Sequence, residues 1–420
     1  MVQNIANLIN NPEFIARYKS SPKDFTRNRS LTFSHLVSFL LNFVKGSAAQ
    51  ELDNFFDIIE QINGTYSHVT ASAFTQARKK LDPSVFVELN RVLVNQYSQH
   101  CRQRWHGFRL LAVDGSTVNL PATKELKAHY NPTDESRKRP LARLSQLYDI
   151  SHRMTIDACI EGHHTDERTM ALSHLPHTQQ GDLVIYDRGY PAFYMFAYHR
   201  HIGVDFCMRT LSNYNTQVQN FIQSDEKEEM VELHPNRFAI QRCKELGVSI
   251  APLKVRLVRV PLSSGETEVL MTSVDEDRLP YEEFQPLYHK RWGVEEDYKI
   301  MKSRLQIEQF SGKSQVAIEQ DFYAKVLSKN ITSLFVNEAQ STIDETLAHR
   351  KRRYQINFTA ALSVMKQNII VLLQLKDITL KINKLISKML RHTNAIRPGR
   401  SFVRNVKLGA KHHMNYKRPN

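Results

Sequence analysis

Four polar residues in the stretch Tyr288-His-Lys-Arg291-Trp-Gly-Val-Glu295-Glu-Asp-Tyr-Lys-Ile-Met-Lys302 are spaced 3, 4 and 7 residues apart. On an α-helix, at roughly 100° per residue, Tyr288, Arg291, Glu295 and Lys302 point to about 0, 300, 340 and 320° around the axis. They share one narrow stripe, and Glu296 and Asp297 point away from it. Such a stripe suits a phosphate backbone with a cation beside it: the carboxylate holds the metal, and the guanidinium and ammonium hold the polyanion. The same spacing also fits an ordinary solvated helix face with an Arg291–Glu295 pair at i,i+4.

Tyr288-x2-Arg291-x3-Glu295-x6-Lys302 resembles the Tyr-Arg-Glu-Lys signature of the DDE transposases of the insertion-sequence-4 family. The resemblance implies that Glu295 is a third catalytic carboxylate, preceded by two aspartates that close apolar strands. Two candidates stand upstream. Phe108-Arg-Leu-Leu-Ala-Val-Asp114 runs into Gly115-Ser116, and Gly181-Asp-Leu-Val-Ile-Tyr-Asp187 runs into Arg188-Gly189. Taken alone, each reads as a turn that closes a strand.

The chemistry that the resemblance implies is metal-assisted phosphoryl transfer. Two Mg²⁺ or Mn²⁺ ions about 3.5–4 Å apart would serve the attacking and leaving oxygens. Asp114, Asp187 and Glu295 would be their ligands, with Asp114 between the two; oxygen donors alone suit such hard ions. Arg291 and Lys302, with Tyr288 donating a hydrogen bond, would hold the DNA backbone on either side of the scissile phosphate. Arg209, at the end of its strand, is a further DNA contact or a solvated strand end.

The elements that must position these residues are legible in the hydrophobic pattern. Apolar residues recur at helical spacing in 31–44 and from Leu52 to Ile59. A third helix starts at an N-cap, Thr70, and ends in Arg78-Lys79-Lys80 before Asp82-Pro83 stops it. Those three cations suit backbone phosphates or a groove, or make a solvated basic face. After the strand ending at Asp114, a returning strand spans Thr117–Leu120, and further strands lie at 142–149 and 154–160, an antiparallel meander. A helix from Thr169, the strand to Asp187, a helix at 193–200 and a strand at 204–209 follow.

That order fits an α/β fold with a ribonuclease H-like core. A β-rich insertion at about 210–280, read from a hairpin around Ser263-Ser264-Gly265, interrupts the core before one helix from Tyr281 to Lys302. The expected divisions are a helical N-terminal DNA-binding region (1–105), the core with its insertion (106–312) and a helical C-terminal region with a basic tail (313–420). The constellation His163-His164-x-Asp166-Glu167 reads as a polar loop, since its spacing is not one used for structural zinc; Glu167 is expected to pair with Arg168. Family members that pass through a DNA hairpin hold a flipped base on an aromatic wedge in the insertion. Both tryptophans, Trp105 and Trp292, lie outside it, which leaves Tyr214 and Phe238.

Composition agrees with a polyanionic partner. The 420 residues carry a formal net charge of +14, and the segment 376–420 has 12 Lys or Arg against the single acid Asp377. That tail reads as a disordered DNA-contacting arm or as a solubilising end. Four separated cysteines, Cys101, Cys159, Cys207 and Cys243, suit buried thiols of a reducing compartment. The N-terminus lacks the basic start of a signal peptide, and no apolar run is long enough to cross a bilayer. The expected protein is therefore cytoplasmic, associated with the bacterial nucleoid and without a membrane partner.

Together these readings point to a transposase that binds terminal inverted repeats of double-stranded DNA, pairs two ends as a homodimer, cuts and joins the 3′ ends to a target. Two rivals share the fold: a metal-dependent nuclease without strand transfer, and a domesticated DNA-binding protein without catalysis.

Overall fold

The computed structural model describes residues 1–27, 29–42, 46–100, 103–132, 139–261, 267–366 and 368–397. Cys101, most of the basic loop at 133–138, the Ser263-Ser264-Gly265 turn and the tail from Pro398, with Arg400 and Arg404, lie outside them. The chain forms two compact units. One comprises 1–100, 118–142 and 299 onward; the other comprises 101–117 and 143–298. These units cut the chain elsewhere than at 105 and 312.

The first unit is helical. Its N-terminal part holds α1 (Val2–Leu8), α2 (Pro12–Tyr18), α3 (Phe33–Leu41), α4 (Ala48–Asn63), α5 (Ala71–Arg78) and α6 (Ser84–His100), and α7 (Lys124–Tyr130) follows after a gap in sequence. Thr70 caps α5 as its sequence suggests, its hydroxyl accepting from the Ala73 amide. The C-terminal part does not stand apart from these helices. A 32-residue helix, designated α14 (Gln315–Thr346), packs against α3 and α6. Its buried polar residues bind their backbones and side chains. Ser328 donates to the Leu41 carbonyl at 2.6 Å, and Asn330 to Asn90 at 2.7 Å. Three shorter helices follow, α15 (Phe358–Met365), α16 (Asn368–Gln374) and α17 (Thr379–Leu390), with a two-stranded ribbon of β9 (Tyr354–Ile356) and β10 (Thr393–Ala395). The basic tail is therefore ordered through Ala395: Leu385 and Met389 bury one face of α17, which a disordered arm would leave in water.

The second unit is built on an eight-stranded mixed sheet of order β3-β2-β1-β4-β5-β8-β7-β6. Its strands are β1 (Arg109–Asn119), β2 (Leu141–Asp149), β3 (Met154–Gly162), β4 (Asp182–Tyr186), β5 (Asp205–Arg209), β6 (Glu228–Leu233), β7 (Leu253–Pro261) and β8 (Thr267–Thr272). Helices α8 (Glu167–His174), α9 (Phe193–Ile202), α10 (Thr216–Gln223) and α11 (Arg237–Leu246) connect them, and α12 (Phe284–Lys290) and α13 (Trp292–Ser303) follow. The last residues of α13, from Lys299, count with the helical unit.

Two sequence expectations, the turn at Asp114-Gly115 and the single helix to Lys302, are corrected here. Asp114-Gly115 closes no turn: β1 runs on through it to Asn119, so the two strands expected on either side are one. What ends at Asp114 is burial, since Arg109–Val113 are all buried and the next three residues are half-buried. The residues at 210–280 supply three strands to the sheet. β8 pairs antiparallel with β5, and β6–β8 extend the sheet at that edge. The helix expected from Tyr281 to Lys302 is interrupted at Arg291, between α12 and α13.

Parallel pairing of β1 with β4 sets the level of the strands. Arg109 faces Asp182, and the register continues to Ala112 opposite Ile185. At its start, Arg109 grips Asp182 in a buried bidentate pair, with Nε to Oδ1 at 2.8 Å and Nη2 to Oδ2 at 2.5 Å. Because side chains alternate along a strand, Leu110, Leu183 and Ile185 share one face. They bury it against Phe284, Leu287 and Tyr288 of α12.

Candidate active site

Asp114 stands two residues past Ala112 on β1, and Asp187 two past Ile185, directly after the end of β4. The Asp187 charge acts on the Asp114 carboxyl, so the two lie in one cluster. The helices that cover this face deliver the signature. The Tyr288 hydroxyl donates to Asp187 Oδ1 at 3.2 Å, and Arg291 Nη2 donates to Glu295 Oε1 at 2.8 Å. Glu295 lies in the first turn of α13. The Arg291–Glu295 pair of the plain helix-face reading is therefore present, but on a nearly buried guanidinium and not on a solvated surface.

Charge in the cluster is out of balance. Burial pushes the Asp114 carboxyl up to about 7 from 3.8; the Gly115 amide and Arg291 oppose the shift, and Glu295 and Asp187 reinforce it. The Gly115 N–H donates to Asp114 Oδ1 at 2.9 Å, and the Tyr298 hydroxyl donates to the Asp114 carbonyl at 3.1 Å. Burial likewise raises the Tyr288 phenol far above its ordinary value, so it stays a donor. Arg209 Nη1 pairs with Glu268 at 2.8 Å and stands 4.0 Å from Asp187. It is thus neither a bare strand end nor an unengaged contact.

The oxygen-only donor set suits a hard divalent ion. Among the described residues, no three His, Cys, Asp or Glu side chains stand at metal-binding spacing. Glu295 is turned to Arg291, and a cation in the site would have to compete with that guanidinium for it.

Other expected contacts fall elsewhere. Arg291 is only 4% exposed and sits 5.5 Å from the ring centres of both Tyr288 and Trp292. It and Tyr288 orient the carboxylates; neither lies open to a backbone. Lys302, half-buried in the last turn of α13, belongs to the helical unit, and burial lowers its pKa. Arg78 is turned inward. Its guanidinium donates to Gln320 (3.0 Å), Ser311 (2.9 Å), the Ala317 carbonyl (3.1 Å) and Asp321 (3.1 Å), all within the helical unit. A buried, fully engaged guanidinium is no phosphate contact. Lys79 is exposed, and Lys80 is half-exposed, 3.5 Å from Asp24.

His163-His164-x-Asp166-Glu167 is a turn followed by a helix start. Asp166 caps α8 by accepting from the Thr169 amide at 3.1 Å. Glu167 pairs with Arg143 at 2.8 Å, and not with Arg168, whose Nε donates to the Gly189 carbonyl at 2.9 Å. A Cβ placed on Gly115 or Gly189 would meet the Glu167 carboxylate at 3.5 and 3.9 Å. Glu167 therefore lies beside the residues that follow both aspartates. No sequence signal distinguishes it, because its partner comes from β2. Tyr298 is within reach of the helical pattern, since its direction of about 280° borders the stripe. Of the two wedge candidates, Phe238 is 66% exposed, its ring 6.4 Å from Tyr194, and burial raises the Tyr214 phenol to about 12.

The geometry can be set beside known proteins. Residues 105–331 match the transposase DDE domain family, more than half of the chain. Transposase InsG for insertion sequence element IS4, from Escherichia coli (strain K12), is 24% identical over 342 residues, covering 76% of this chain and 73% of InsG. The solved synaptic complex of piggyBac transposase with hairpin DNA aligns over 97% of this chain and 88% of its own, at 10% identity and a TM-score of 0.46. Among the described residues, no helix is long and apolar enough to cross a membrane. The family match runs through β1, β4 and all of α13, the elements that carry the aspartates and the signature glutamate, and by that match the chain belongs to the DDE transposases of the IS4 type.

Proposed function

We propose that the protein cuts an insertion sequence out at its terminal inverted repeats and joins the 3′ ends to target DNA, acting as a homodimer on paired ends. The observation that supports this most is the meeting of the signature with the strand ends: Tyr288 donates to Asp187, just past β4, whose partner strand β1 carries Asp114. The sheet and its helices are read as a ribonuclease H-like core, in agreement with the order β3-β2-β1-β4-β5.

Asp114, Asp187 and Glu295 are the proposed ligands of two Mg²⁺ or Mn²⁺ ions. Ions bound there would lower the pKa of an attacking water or hydroxyl and relieve charge on the leaving oxygen. The chain's own residues prepare that site. Asp114, whose carboxyl is raised by burial, would hold such an ion in its ionised form. Tyr288 orients Asp187 by its hydrogen bond, and the Arg291 guanidinium, 5.5 Å from the Tyr288 and Trp292 ring centres, orients Glu295. Arg209 adds positive charge near Asp187. Lys302, with Lys79 and Lys80 of the N-terminal helices, is assigned to the DNA backbone; Arg78 holds the helical unit together instead.

The test is excision and joining of a plasmid-borne element carrying the protein's own ends, in Mg²⁺ or Mn²⁺, comparing wild type with Glu295→Ala. Wild type should excise and join, and the variant should bind the ends without cutting. Cutting without joining would leave a nuclease. Binding without cutting by both proteins would leave a non-catalytic DNA-binding protein.

A further inference from the structure

Beyond Lys302, the chain leaves α13 and forms one wall of a small cationic pocket inside the helical unit. A cavity of about 360 Å³ is lined by Ser303, Arg304 and Gln306 on this wall, and by Thr359, Ser363 and Lys366 on and just after α15. Its polar groups include three hydroxyls and two cations. Arg304 is exposed, with no hydrogen bond or ion pair to its guanidinium among the described residues. Lys366 stands 3.6 Å from the nearly buried Glu51, which also accepts from the Gly46 amide at 2.8 Å.

The wall is held in a costly shape. Gln306 has a φ of +50°, the left-handed region that a non-glycine residue enters only at a cost. Buried Lys325 offsets the strain by donating to the Gln306 carbonyl at 2.9 Å and the Gln309 carbonyl at 3.0 Å. The Gln309 amide returns to the Gln306 carbonyl at 2.8 Å. A strained loop pinned by a buried ammonium presents Ser303 and Arg304 in a fixed arrangement. Hydroxyls and a guanidinium around a small cavity match the acceptor oxygens of a phosphate, and the carboxylate beside Lys366, that of Glu51, is already paired.

We propose that this pocket binds a backbone phosphate of double-stranded DNA, the contact next along the chain after the one assigned to Lys302. The assignment rests on the transposase reading above. Its probe is a 30-base-pair duplex of mixed sequence, bound by the full chain and followed by fluorescence anisotropy across a KCl series. Neutralising one phosphate fewer should lower the salt slope by about 0.9, equivalent to about an eightfold weaker binding at 0.1 M relative to 1 M. Arg304→Gln should show that decrease, Arg304→Lys should recover most of it, and Lys244→Gln, an exposed cation on α11, should change the slope far less. Wild-type binding with an unchanged Arg304→Gln slope, or an equal decrease in Lys244→Gln, overturns the pocket and leaves the transposase reading standing. No duplex binding by wild type overturns both.

Discussion

Arg109 and Asp182 form a buried two-point ion pair five residues below Asp114 and Asp187, one partner on each of the same two strands. A parallel pair that slips by one residue turns every side chain to the other face. A bidentate pair at the base of the strands resists that slip, because its planar fork fits only one alignment. The level of the two upper aspartates is therefore set at the bottom of the sheet.

Asp182→Asn should be strongly destabilising, by about 3–5 kcal/mol, since it strands a buried guanidinium. Replacing both partners with apolar residues, Arg109→Met with Asp182→Leu, should recover most of that stability. It should not recover DNA cleavage if the pair guards register. Urea unfolding and plasmid cleavage measured on the same preparations separate the two; full activity in the double variant would show that packing alone holds the strands level.

The Asp114 carboxyl makes stability depend on pH. Its value is raised from 3.8 to about 7, so the folded chain prefers the protonated form. That contribution is complete below about pH 4 and is lost as pH rises through 7, a change of up to roughly 4 kcal/mol. In chelator, the thermal midpoint of wild type should fall over this window, and Asp114→Asn should flatten the profile. Mg²⁺ should restore the midpoint at pH 7 and above in wild type only. Parallel profiles for the two proteins would mean that Asp114 carries no such strain.

The cations at the end of α5 should behave unlike one another. Arg78→Ala removes the guanidinium from buried Asp321, which keeps its Ser311 hydrogen bonds, and should cost about 3–5 kcal/mol in unfolding experiments. Lys79→Gln with Lys80→Gln should leave stability within about 0.5 kcal/mol of wild type. The same double variant should reduce the salt slope of DNA binding by about 0.9 for each phosphate that these lysines neutralise. An unchanged slope would identify Lys79 and Lys80 as solvated charges.

Gly293 offers a test of how tightly α13 must sit. A Cβ there would lie 3.3 Å from Ile150 Cγ2 and 4.0 Å from Tyr148 Cε1. Alanine gains about 1 kcal/mol of helix propensity, which the tight contact should largely cancel. Gly293→Ala should therefore leave stability nearly unchanged but reduce cleavage by about tenfold or more, because Glu295 moves with the helix. Adding Ile150→Ala, which removes the obstructing methyl, should return activity. Wild-type cleavage by the single variant would show that the site tolerates the shift.

How far each residue is legible from the chain depends on where its partners come from. The stripe of Tyr288, Arg291 and Glu295 is visible because a helix repeats over a few residues. The strand ending in Asp187 is visible because a buried parallel strand is a short apolar run. The same rule finds Asp114 but misplaces it as a turn residue. A glycine after an aspartate often breaks a strand, and here the neighbouring β2 passes within 3.5 Å of where a Gly115 Cβ would stand, keeping the ladder going.

Composition and periodicity determined that the chain has an α/β body with helical ends and a basic C-terminus; Asp114, Asp187 and Glu295 became candidates through the family resemblance. Each of these is local, carried by neighbours in sequence. Only tertiary structure decided that the N- and C-terminal helices make one unit around α14, that Arg78 serves that unit's interior, and that Glu167 answers to Arg143. The physical reason is plainest for Arg78. A charged side chain is drawn inward only when a distant segment supplies its hydrogen bonds, and that supply, 243 residues away for Arg78 and Asp321, leaves no mark on the local sequence.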